Sequence, residues 1–518
     1  MHTLLNNRFF VILLAPFLLG AITTIGFSPY NFTFINFFSF SILLFLILTI
    51  KKKTKSKYRK KKKKWNFFYL GCAFGFGFFL FGNYWIAISL THDDMFKTLI
   101  PYALIIIPLF LSLFFGLVTF IIGPYAEKNI SYILLFSITF SIFEYIRGNI
   151  LTGFPWNLIS YSFVWSIESI QILSKIGTYS LSLISLTFFC TPFLFISNRI
   201  AYKNIIFLLI LITLFIWNFF YGLNKIDTNN YNFDDKINVK IISPNFSLKE
   251  YNEISEITLI KRLIKISDPQ KNNKTLFIWP EGIFYESYLK DIGKYKKIFE
   301  DNFSKNHLII LGVNSLKGKK YFNSLVVLNN KLEVLSLYNK MNLVPFGEFL
   351  PFEKILFKLG YKKITRGYNS FSEGSIRSEI DLGKIFNNKL VIPLICYEII
   401  YPGEIKNKNQ FPDLVVNISE DGWFGESIGP YQHFSKSIYR SIEEGVFIAR
   451  SANKGFSAFI NPNGEVLKSL NMGESGNIEL NFPYFSGSTL FSNYGNKIFA
   501  LIIFFYIFLI LILRKFKI

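Results

Sequence analysis

Leu390-Val-Ile-Pro-Leu-Ile-Cys396-Tyr397-Glu398-Ile-Ile-Tyr-Pro402 places one thiol at the end of a β-branched run and a carboxylate two residues later. Such a run is typical of a buried strand. Cys396 is the only cysteine outside the long apolar segments, since Cys72 and Cys190 lie within them. Taken alone, Cys396 is more simply interpreted as a small buried side chain, because free cysteine is among the most buried residue types. A chemical role depends on what the rest of the chain places beside it.

The composition indicates a membrane protein. Of 518 residues, 51% are hydrophobic and 19% aromatic, which is too apolar for an ordinary soluble protein of two or three domains. The net charge of +22 resembles that of a nucleic-acid-binding protein. Much of this charge comes from the run Lys51–Lys64, which lies between two apolar segments and suits a cytoplasmic loop. We therefore expect no nucleic-acid partner.

Eight apolar segments are long enough to cross a hydrocarbon core of ~30 Å, which needs about 20 residues. They cover residues 8–26, 30–50, 66–90, 98–123, 131–149, 176–197, 204–222 and 496–513. The first is interpreted as a retained span and not as a signal peptide, because no small-residue cleavage pattern follows it. The predicted domains are a seven-span bundle over 1–222, one large insert over 223–495, and an eighth span with a tail over 496–518.

Charged loops predict the orientation of these spans, since Lys and Arg are held on the cytoplasmic side. The Lys51–Lys64 run, the loop at Glu127-Lys128, the loop 198–203 and the tail 514–517 all fall on one side of the predicted bundle. Both termini are then cytoplasmic. The loop 91–94, the segment Gly153-Phe-Pro-Trp156 and the insert are expected on the outer side.

Two charged residues, Glu144 and Arg147, stand three apart near the outer end of the fifth span and share a helix face. A structural ion pair is favoured over a substrate contact, although charge at membrane depth also suggests function. The neighbouring stretch 151–157 is either an interfacial aromatic anchor or part of a lipid entrance.

The insert alternates strands and helices. Strand-like runs cover 237–242, 275–278, 308–312, 324–328, 390–395, 414–418, 447–449, 457–460 and 465–470, and helical stretches cover 248–267, 288–304 and 430–444. This pattern predicts a layered α/β domain with helices on both sheet faces. Asn329-Asn330 and Asn461-Pro-Asn-Gly464 predict hairpin turns.

Four features of the insert carry residues that could do chemistry. Glu281 in Trp-Pro-Glu-Gly follows a strand directly, at the end where α/β sheets place their sites, although an exposed turn carboxylate is equally consistent. Lys340 precedes an apolar, proline-bounded segment containing Glu348, although a solvated lysine is the simpler interpretation. Cys396 with Glu398, and the run Asn417–Gly425, are the other two.

Three of these features follow predicted strands, so their side chains could share one crevice. A cation beside a thiol lowers its pKa from about 8.5 and favours the reactive thiolate. A carboxylate can remove the thiol proton, and an ammonium can stabilise the oxyanion of a tetrahedral intermediate.

The order Trp-Pro-Glu281, Tyr-Asn-Lys340-Met-Asn-Leu-Val-Pro-Phe-Gly-Glu348 and Ile-Cys396-Tyr-Glu398 resembles the Glu–Lys–Cys triad of the nitrilase, or carbon–nitrogen hydrolase, superfamily. Eight spans with the domain before the last one resemble the apolipoprotein N-acyltransferase family within it. Further matching motifs are Lys340 to Phe352, Asn417 to Gly425, Gly429 to His433, Arg450 to Gly455, and Gly153 to Trp156.

The resemblance implies an αββα sandwich for the insert and a role for each matching residue. Glu281 would be the general base, Lys340 the oxyanion-stabilising cation and Cys396 the nucleophile. Substrate-binding or assisting positions are implied for Glu348, Tyr397 and Glu398. The chain departs from the family pattern at Gly282, where a small hydroxylated residue or alanine is usual, and at Ser247-Leu-Lys-Glu250, where a tryptophan is expected after Leu-Lys.

The implied reaction is a ping-pong acyl transfer in two steps. A glycerophospholipid would donate a fatty acyl chain to Cys396 as a thioester. The α-amino group of the diacylglyceryl-modified cysteine at a lipoprotein's N-terminus would then accept it. The resemblance implies a bacterial inner-membrane protein whose catalytic domain faces the periplasm, and we expect a monomer. No cofactor or metal motif is found in the sequence.

Two other functions remain open from the residues alone. One is a membrane-tethered amidase or nitrilase that acts on a small amide, for which eight spans are an excessive anchor. The other is a transporter or receptor whose outer domain captures a ligand. Transporters often show internal symmetry, which is not evident in this sequence.

Overall fold

The structure, a computed structural model, describes residues 7–53, 60–196, 201–228, 231–351, 370–406, 409–485 and 487–515. The chain divides into two units. One comprises Met1–Ala87, Thr98–Asp227 and Tyr494–Ile518, and the other comprises Ile88–Lys97 and Thr228–Asn493. Phe352 and parts of the basic run, the loop 198–203 and the tail lie outside the described residues.

Helices make up most of the first unit and also occur in the second. In chain order, the α-helices of the described residues are α1 Ala15–Thr23, α2 Ile35–Lys53, α3 Lys60–Asn83, α4 Trp85–Ile88, α5 Ile100–Ile122, α6 Ile130–Asn149, α7 Ile167–Ile170, α8 Leu173–Phe189, α9 Tyr202–Thr228, α10 Glu250–Glu253, α11 Glu256–Ser267, α12 Lys296–Asn302, α13 Gly429–Glu444, α14 Leu490–Tyr494 and α15 Lys497–Lys515.

Seven of the eight predicted spans correspond to helices that are long and apolar enough to cross a membrane within the described residues. The first predicted span, 8–26, corresponds instead to a shorter apolar helix, Phe10–Gly26. At a rise of 1.5 Å per residue, that helix extends about 25 Å, near the lower limit for spanning a bilayer. The predicted membrane bundle is therefore confirmed, with seven full-length helices and one short one.

Glu144 and Arg147 of α6 are both buried and hold the loop that follows the helix. The Ile159 amide donates a hydrogen bond to the Glu144 carboxylate (3.1 Å). Arg147 donates to the carbonyl oxygens of Phe154 (2.6 Å) and Trp156 (3.1 Å). These bonds give both side chains a structural role, while the predicted direct ion pair stays a prediction.

The second unit is built on two β-sheets. Its strands are β1 Phe233–Ser243, β2 Lys274–Ile278, β3 Phe284–Tyr288, β4 His307–Lys317, β5 Lys320–Asn329, β6 Val334–Asn339, β7 Ile380–Asp381, β8 Leu390–Ile395, β9 Leu414–Glu420, β10 Phe447–Asn453, β11 Ser457–Ile460, β12 Val466–Leu470 and β13 Gly476–Pro483.

The sheets face each other across one apolar core. The first has the order β13-β1-β2-β4-β5-β6, with β3 also paired to β4, and the second has the order β12-β11-β10-β9-β8-β7. Side chains from both sheets, such as Leu276 and Val416, meet in the core between them. Helix α11 packs on the outer face of the first sheet through residues such as Leu263, and α13 packs on the second. The αββα sandwich is therefore confirmed.

All nine strand-like runs of the sequence are strands in the structure, and both predicted hairpins join antiparallel pairs. The sequence analysis missed β3, β6, β7 and β13. Three of these lie at sheet edges, where one side of the strand is open and a continuous apolar run is not needed. The central parallel strands β1-β2-β4 and β8-β9-β10 are buried on both faces, which is why their apolar runs were recognisable.

Candidate active site

Cys396 lies at a sharp turn between β8 and a 3₁₀ turn, Cys396–Ile400. Its backbone φ is +50°, in the left-handed region that costs a side-chain-bearing residue about 1–3 kcal/mol and persists only where the surroundings enforce it. The Asn417 amide donates to the Cys396 carbonyl oxygen (3.4 Å). The turn places a partly buried thiol at the carboxyl end of a central strand, where α/β folds place their reacting groups.

Glu398 is fully buried and connects the turn to the segment after Lys340. One carboxylate oxygen accepts from the Ile395 amide (2.8 Å). The other accepts from the Met341 amide (2.9 Å) and from the Arg377 guanidinium (2.9 Å). Glu398 therefore positions the backbone on both sides of the site, and its lone pairs are occupied by structural bonds.

Lys340 directly follows β6, at the edge of the first sheet, and is 1% exposed. Its ammonium lies 3.0 Å from the Glu348 carboxylate and 3.7 Å from the Glu281 carboxylate. The Val344 amide also donates to Glu348 (2.9 Å), which holds that carboxylate beside the lysine. The interpretation of Lys340 as a solvated surface lysine is therefore wrong, because its buried ammonium forms ion pairs with two buried carboxylates.

Glu281 follows β2 and is buried. Its alternative interpretation as an exposed turn carboxylate is therefore wrong. In addition to its ion pair with Lys340, it accepts hydrogen bonds from the Asn323 side chain (2.7 Å) and from the Glu420 backbone amide (3.1 Å). The next residue, Gly282, has φ +70°. A glycine suits this conformation better than the residues usual at that position, which gives a physical reason for the departure noted in the sequence.

Asn323 on β5 is the site residue that the sequence analysis missed. Its side-chain amide donates to both Glu281 (2.7 Å) and Glu348 (2.7 Å), while its backbone carbonyl oxygen accepts from the Lys340 backbone amide (2.9 Å). Asn323 and Lys340 therefore bridge the same two carboxylates. The available signal was an asparagine two residues before the apolar run Leu325–Leu328 of β5, since a buried amide needs partners of its own.

Electrostatics set the resting state of the thiol. Burial, followed by the negative charge of Glu281, raises the pKa of the Cys396 thiol well above its usual value, and Lys340 only partly offsets this. The expected lowering of this pKa by a nearby cation is thus wrong, because desolvation of the thiolate outweighs the cation. Cys396 rests as a thiol and needs a base.

Glu281 is suited to be that base. Burial raises the pKa of its carboxyl, and Lys340 opposes the increase. Burial alone would lower the pKa of the Lys340 ammonium, but Glu348 and Glu281 raise it well above its usual value. The site therefore combines a neutral thiol, a carboxylate with increased proton affinity and a permanent cation.

A second buried network lies beside the thiol, in the run that begins at Asn417. Ser419, which acts on the pKa of Cys396, donates to Asp421 (2.6 Å). Asp421 also binds Arg450 (2.7 Å) and His433 (3.0 Å). Although burial would raise the pKa of Asp421, Arg450 holds it below its usual value. This network joins the matching motifs of the sequence into one scaffold next to Cys396.

The remaining predicted residues lie around this centre. The Tyr397 ring contacts Tyr401 edge to face, with centroids 5.5 Å apart, on the turn that follows the cysteine. Glu250 accepts from the Ser247 amide (2.6 Å) and pairs with Arg262 (3.1 Å). In that region the chain thus forms a local polar turn at the position where the family pattern has an aromatic residue.

The segment Ile88–Lys97 belongs to the second unit although apolar helices flank it in sequence. The His92 ring lies edge to face with Trp423, with centroids 5.6 Å apart. A Cβ atom on Gly425 would lie 2.7 Å from the Ile88 side chain. This contact with the loop after β9 was not predicted from sequence.

Gly312 of β4 should tolerate no side chain, because a Cβ atom there would lie 2.7 Å from the Glu281 Cα atom and 2.8 Å from the Gly282 nitrogen. Gly312→Ala must displace the backbone that carries Glu281. Since small misplacements of reacting groups can cost about 10²-fold in rate, we expect the activity of the site to fall about 10- to 100-fold. The matched control is Gly293→Ala, whose Cβ would meet nothing within 4 Å. Equal rates for the two variants would contradict the close approach.

Within the described residues, no three His, Cys, Asp or Glu side chains are grouped so as to hold a metal ion. The acids at the centre are instead occupied by Lys340 and Asn323.

Comparison with known proteins places this geometry in context. Residues 19–191 match the apolipoprotein N-acyltransferase N-terminal domain, and residues 262–480 match the carbon–nitrogen hydrolase domain. Proteins named apolipoprotein N-acyltransferase from Rickettsia prowazekii and Rickettsia typhi are 33% and 34% identical, each over 81% of this chain and 84% of their own. One from Bradyrhizobium diazoefficiens is 30% identical over 78% of this chain and 77% of its own.

Proposed function

Because this chain belongs to the apolipoprotein N-acyltransferase family, we propose that it moves a fatty acyl chain from a glycerophospholipid to a lipoprotein. The acceptor is the α-amino group of an N-terminal, diacylglyceryl-modified cysteine. The observation that carries the proposal is a buried cluster beside the turn at Cys396. In this cluster the Lys340 ammonium forms ion pairs with the carboxylates of Glu281 and Glu348.

In the first step, Glu281 takes the proton of the Cys396 thiol as the sulfur attacks an ester carbonyl of the phospholipid. The carbonyl oxygen becomes an oxyanion, which the Lys340 ammonium stabilises. Collapse of this intermediate breaks the ester C–O bond. The lysophospholipid oxygen leaves with the proton from Glu281, and a thioester remains on Cys396.

In the second step, the lipoprotein amine attacks the thioester while Glu281 removes its proton. A second oxyanion forms at the same position, again next to Lys340. The C–S bond breaks, the thiolate regains the proton from Glu281, and an amide leaves the enzyme. This is covalent catalysis by a ping-pong route, in which one base serves both steps.

Glu348 and Asn323 act by positioning. Glu348 binds the Lys340 ammonium. Asn323 donates hydrogen bonds to both Glu281 and Glu348 and so holds the two carboxylates together. Glu398 and Asn417 hold the backbone around Cys396.

The proposed setting is the inner membrane of a bacterium, with the catalytic unit on the periplasmic side. The candidate spans and the placement of the basic loops support this setting through the positive-inside rule. We propose that one copy of the chain is sufficient, since all members of the cluster come from this chain.

The two rival functions are less well supported. A tethered amidase would need only the hydrolase domain, whereas the match to the family's N-terminal domain covers most of the helical unit. A transporter or receptor would have no use for a thiol, a base and a cation in one buried cluster.

The proposal is tested by trapping the acyl-enzyme. The full-length protein is mixed with phosphatidylethanolamine vesicles whose acyl chains carry an isotope label, and tryptic peptides are analysed by mass spectrometry. We expect one acyl adduct, on Cys396, that hydroxylamine removes and that a diacylglyceryl lipopeptide discharges to an N-acyl product. An adduct that is discharged by a small amine or water as fast as by the lipopeptide would favour the amidase.

The acyl-enzyme should be stable to water when no acceptor is present. Both substrates carry acyl chains worth about 0.8 kcal/mol per buried CH₂ group, so a site that takes them from the bilayer favours them over water. We expect the lifetime of the labelled adduct to shorten sharply on addition of lipopeptide. Rapid loss of the adduct in its absence would contradict this explanation of amine selectivity.

The rate of adduct formation should fall at acidic pH because Glu281 must be ionised to accept the thiol proton. Burial raises the pKa of this carboxyl, so the acid limb of kcat/KM should lie above the ordinary glutamate value of about 4.3. The profile is obtained from initial rates of adduct formation across the acidic and neutral range. An acid limb at or below the ordinary value would mean that another group is the base.

A further inference from the structure

A cavity of about 480 Å³ lies at one end of the helical unit. Residues at the ends of α2 and α15, at the beginnings of α6 and α9, and after α5 line it. Apolar helices give way to polar residues at this end, so the cavity lies where the hydrocarbon core meets the headgroup region. The positive-inside rule predicts that this end faces the cytoplasm.

The cavity has a positive charge balance. Three of its lining side chains, Lys51, Lys203 and Arg514, are cations, and one, Glu127, is an anion. Lys51 lies 3.7 Å from Glu127, which leaves an excess of two positive charges over the four groups. Separate helices supply the three cations, so they meet only in the folded chain.

Two buried hydroxyls also line the cavity. Ser131 is 5% exposed and Tyr132 is 2% exposed, and neither hydroxyl has a hydrogen-bond partner among the residues that the structure describes. A buried hydroxyl without a partner is costly. Ser131 and Tyr132 lie in the first turn of the 20-residue helix α6, where backbone amides and the helix dipole favour an anion.

We propose that this cavity binds the phosphate of an anionic phospholipid headgroup. Cations, hydroxyl donors and a helix N-terminus are the groups that bind phosphate, and basic pockets between membrane helices on the cytoplasmic side bind such headgroups. A lipid and not free phosphate is favoured because Leu135 and Tyr125 add apolar lining at the boundary of the hydrocarbon core. The site is separate from the acyl-transfer site and does not depend on its chemistry.

The test measures the thermal unfolding midpoint, Tm, of the full-length protein in a neutral detergent. Short-chain phosphatidylglycerol, phosphatidylcholine with the same chains, and inorganic phosphate are titrated in parallel. We expect phosphatidylglycerol to raise Tm with saturation, and the other two to raise it much less at equal concentration. An equal rise with inorganic phosphate would overturn the lipid assignment, and an equal rise with phosphatidylcholine would overturn the selection of anionic headgroups.

A charge-matched pair of variants locates the effect. Lys203→Gln with Arg514→Gln removes two cations from the cavity and should weaken phosphatidylglycerol binding about tenfold or more. Lys52→Gln with Lys515→Gln removes two exposed cations near the same helix ends that do not line the cavity, and should bind within about twofold of the unmodified protein. If the two double variants bind equally, the cavity is not the site.

Tyr132→Phe keeps the test decisive if the cavity variant does not fold. It removes one hydroxyl and no charge. Since that hydroxyl has no partner in the described residues, we expect an unchanged or higher Tm without lipid and weaker binding of phosphatidylglycerol. A lower Tm without lipid together with unchanged binding would show a purely structural hydroxyl and contradict the proposal.

Discussion

Cys396→Ala is expected to abolish acyl transfer, with a loss of about 10⁴-fold or more, the scale on which removal of a catalytic nucleophile acts. Without the sulfur no thioester can form, and the other groups of the cluster have nothing to activate. Transfer of a labelled acyl chain to a diacylglyceryl lipopeptide measures the loss. Mass spectrometry should find no acyl adduct on the variant.

Cys72→Ala is the matched control, since it removes a thiol from helix α3 of the other unit and should retain the activity. Cys396→Ser adds a second comparison. A hydroxyl ionises far less readily than a thiol, so activity should remain very low, and any adduct would be an ester that resists mild hydroxylamine. Substantial transfer by Cys396→Ala would remove the nucleophile from the mechanism and favour a binding function.

Glu281→Gln is expected to lower the rate of acyl transfer about 10³-fold, within the range for loss of a general base. The thiol pKa is raised by burial, so little thiolate exists without a base. Glutamine keeps the size of the side chain, and Lys340 keeps its 3.0 Å contact with Glu348. The fold should therefore persist, and Tm serves as the check.

Both half-reactions should slow in Glu281→Gln, because one carboxylate handles the proton in each. Single-turnover formation of the adduct and its discharge by lipopeptide are measured separately. The acid limb of the pH profile should disappear from the residual activity. Glu286→Gln, at an exposed position five residues later, is the matched control and should leave both rates unchanged. Persistence of the same acid limb in Glu281→Gln would assign the base to another residue.

The strands that were predicted from the sequence, and those that were not, show which strands a local sequence pattern can identify. Central strands such as β4 and β8 carry continuous apolar runs because both of their faces are buried. Edge strands such as β6 and β13 are mixed in polarity, and only their neighbours in the sheet define them. The helix expected over 248–267 is likewise broken into α10 and α11, where Glu250 forms a local turn.

Asn323 shows the corresponding limit at the site. Its importance comes from lying within 2.7 Å of two carboxylates that are 42 and 25 residues away in sequence. An asparagine beside an apolar run indicates that the amide needs partners if it is buried, but it does not indicate which residues those partners are. Glu281 and Cys396 were recognisable because each follows a predicted strand, and Lys340 because it precedes an apolar, proline-bounded segment.

The amino-acid sequence by itself determined the class of the protein. The lengths of the apolar runs predicted the membrane spans, and the alternation of strands and helices predicted the α/β insert. Three short motifs indicated Glu281, Lys340 and Cys396 as site residues. Only the tertiary structure decided how those groups behave. Burial raises the pKa of Cys396 despite the nearby cation, and Lys340 stays charged because the carboxylates of Glu348 and Glu281 lie beside its ammonium. Desolvation and Coulomb energies depend on distances in three dimensions, and those distances exist only once the two sheets have packed.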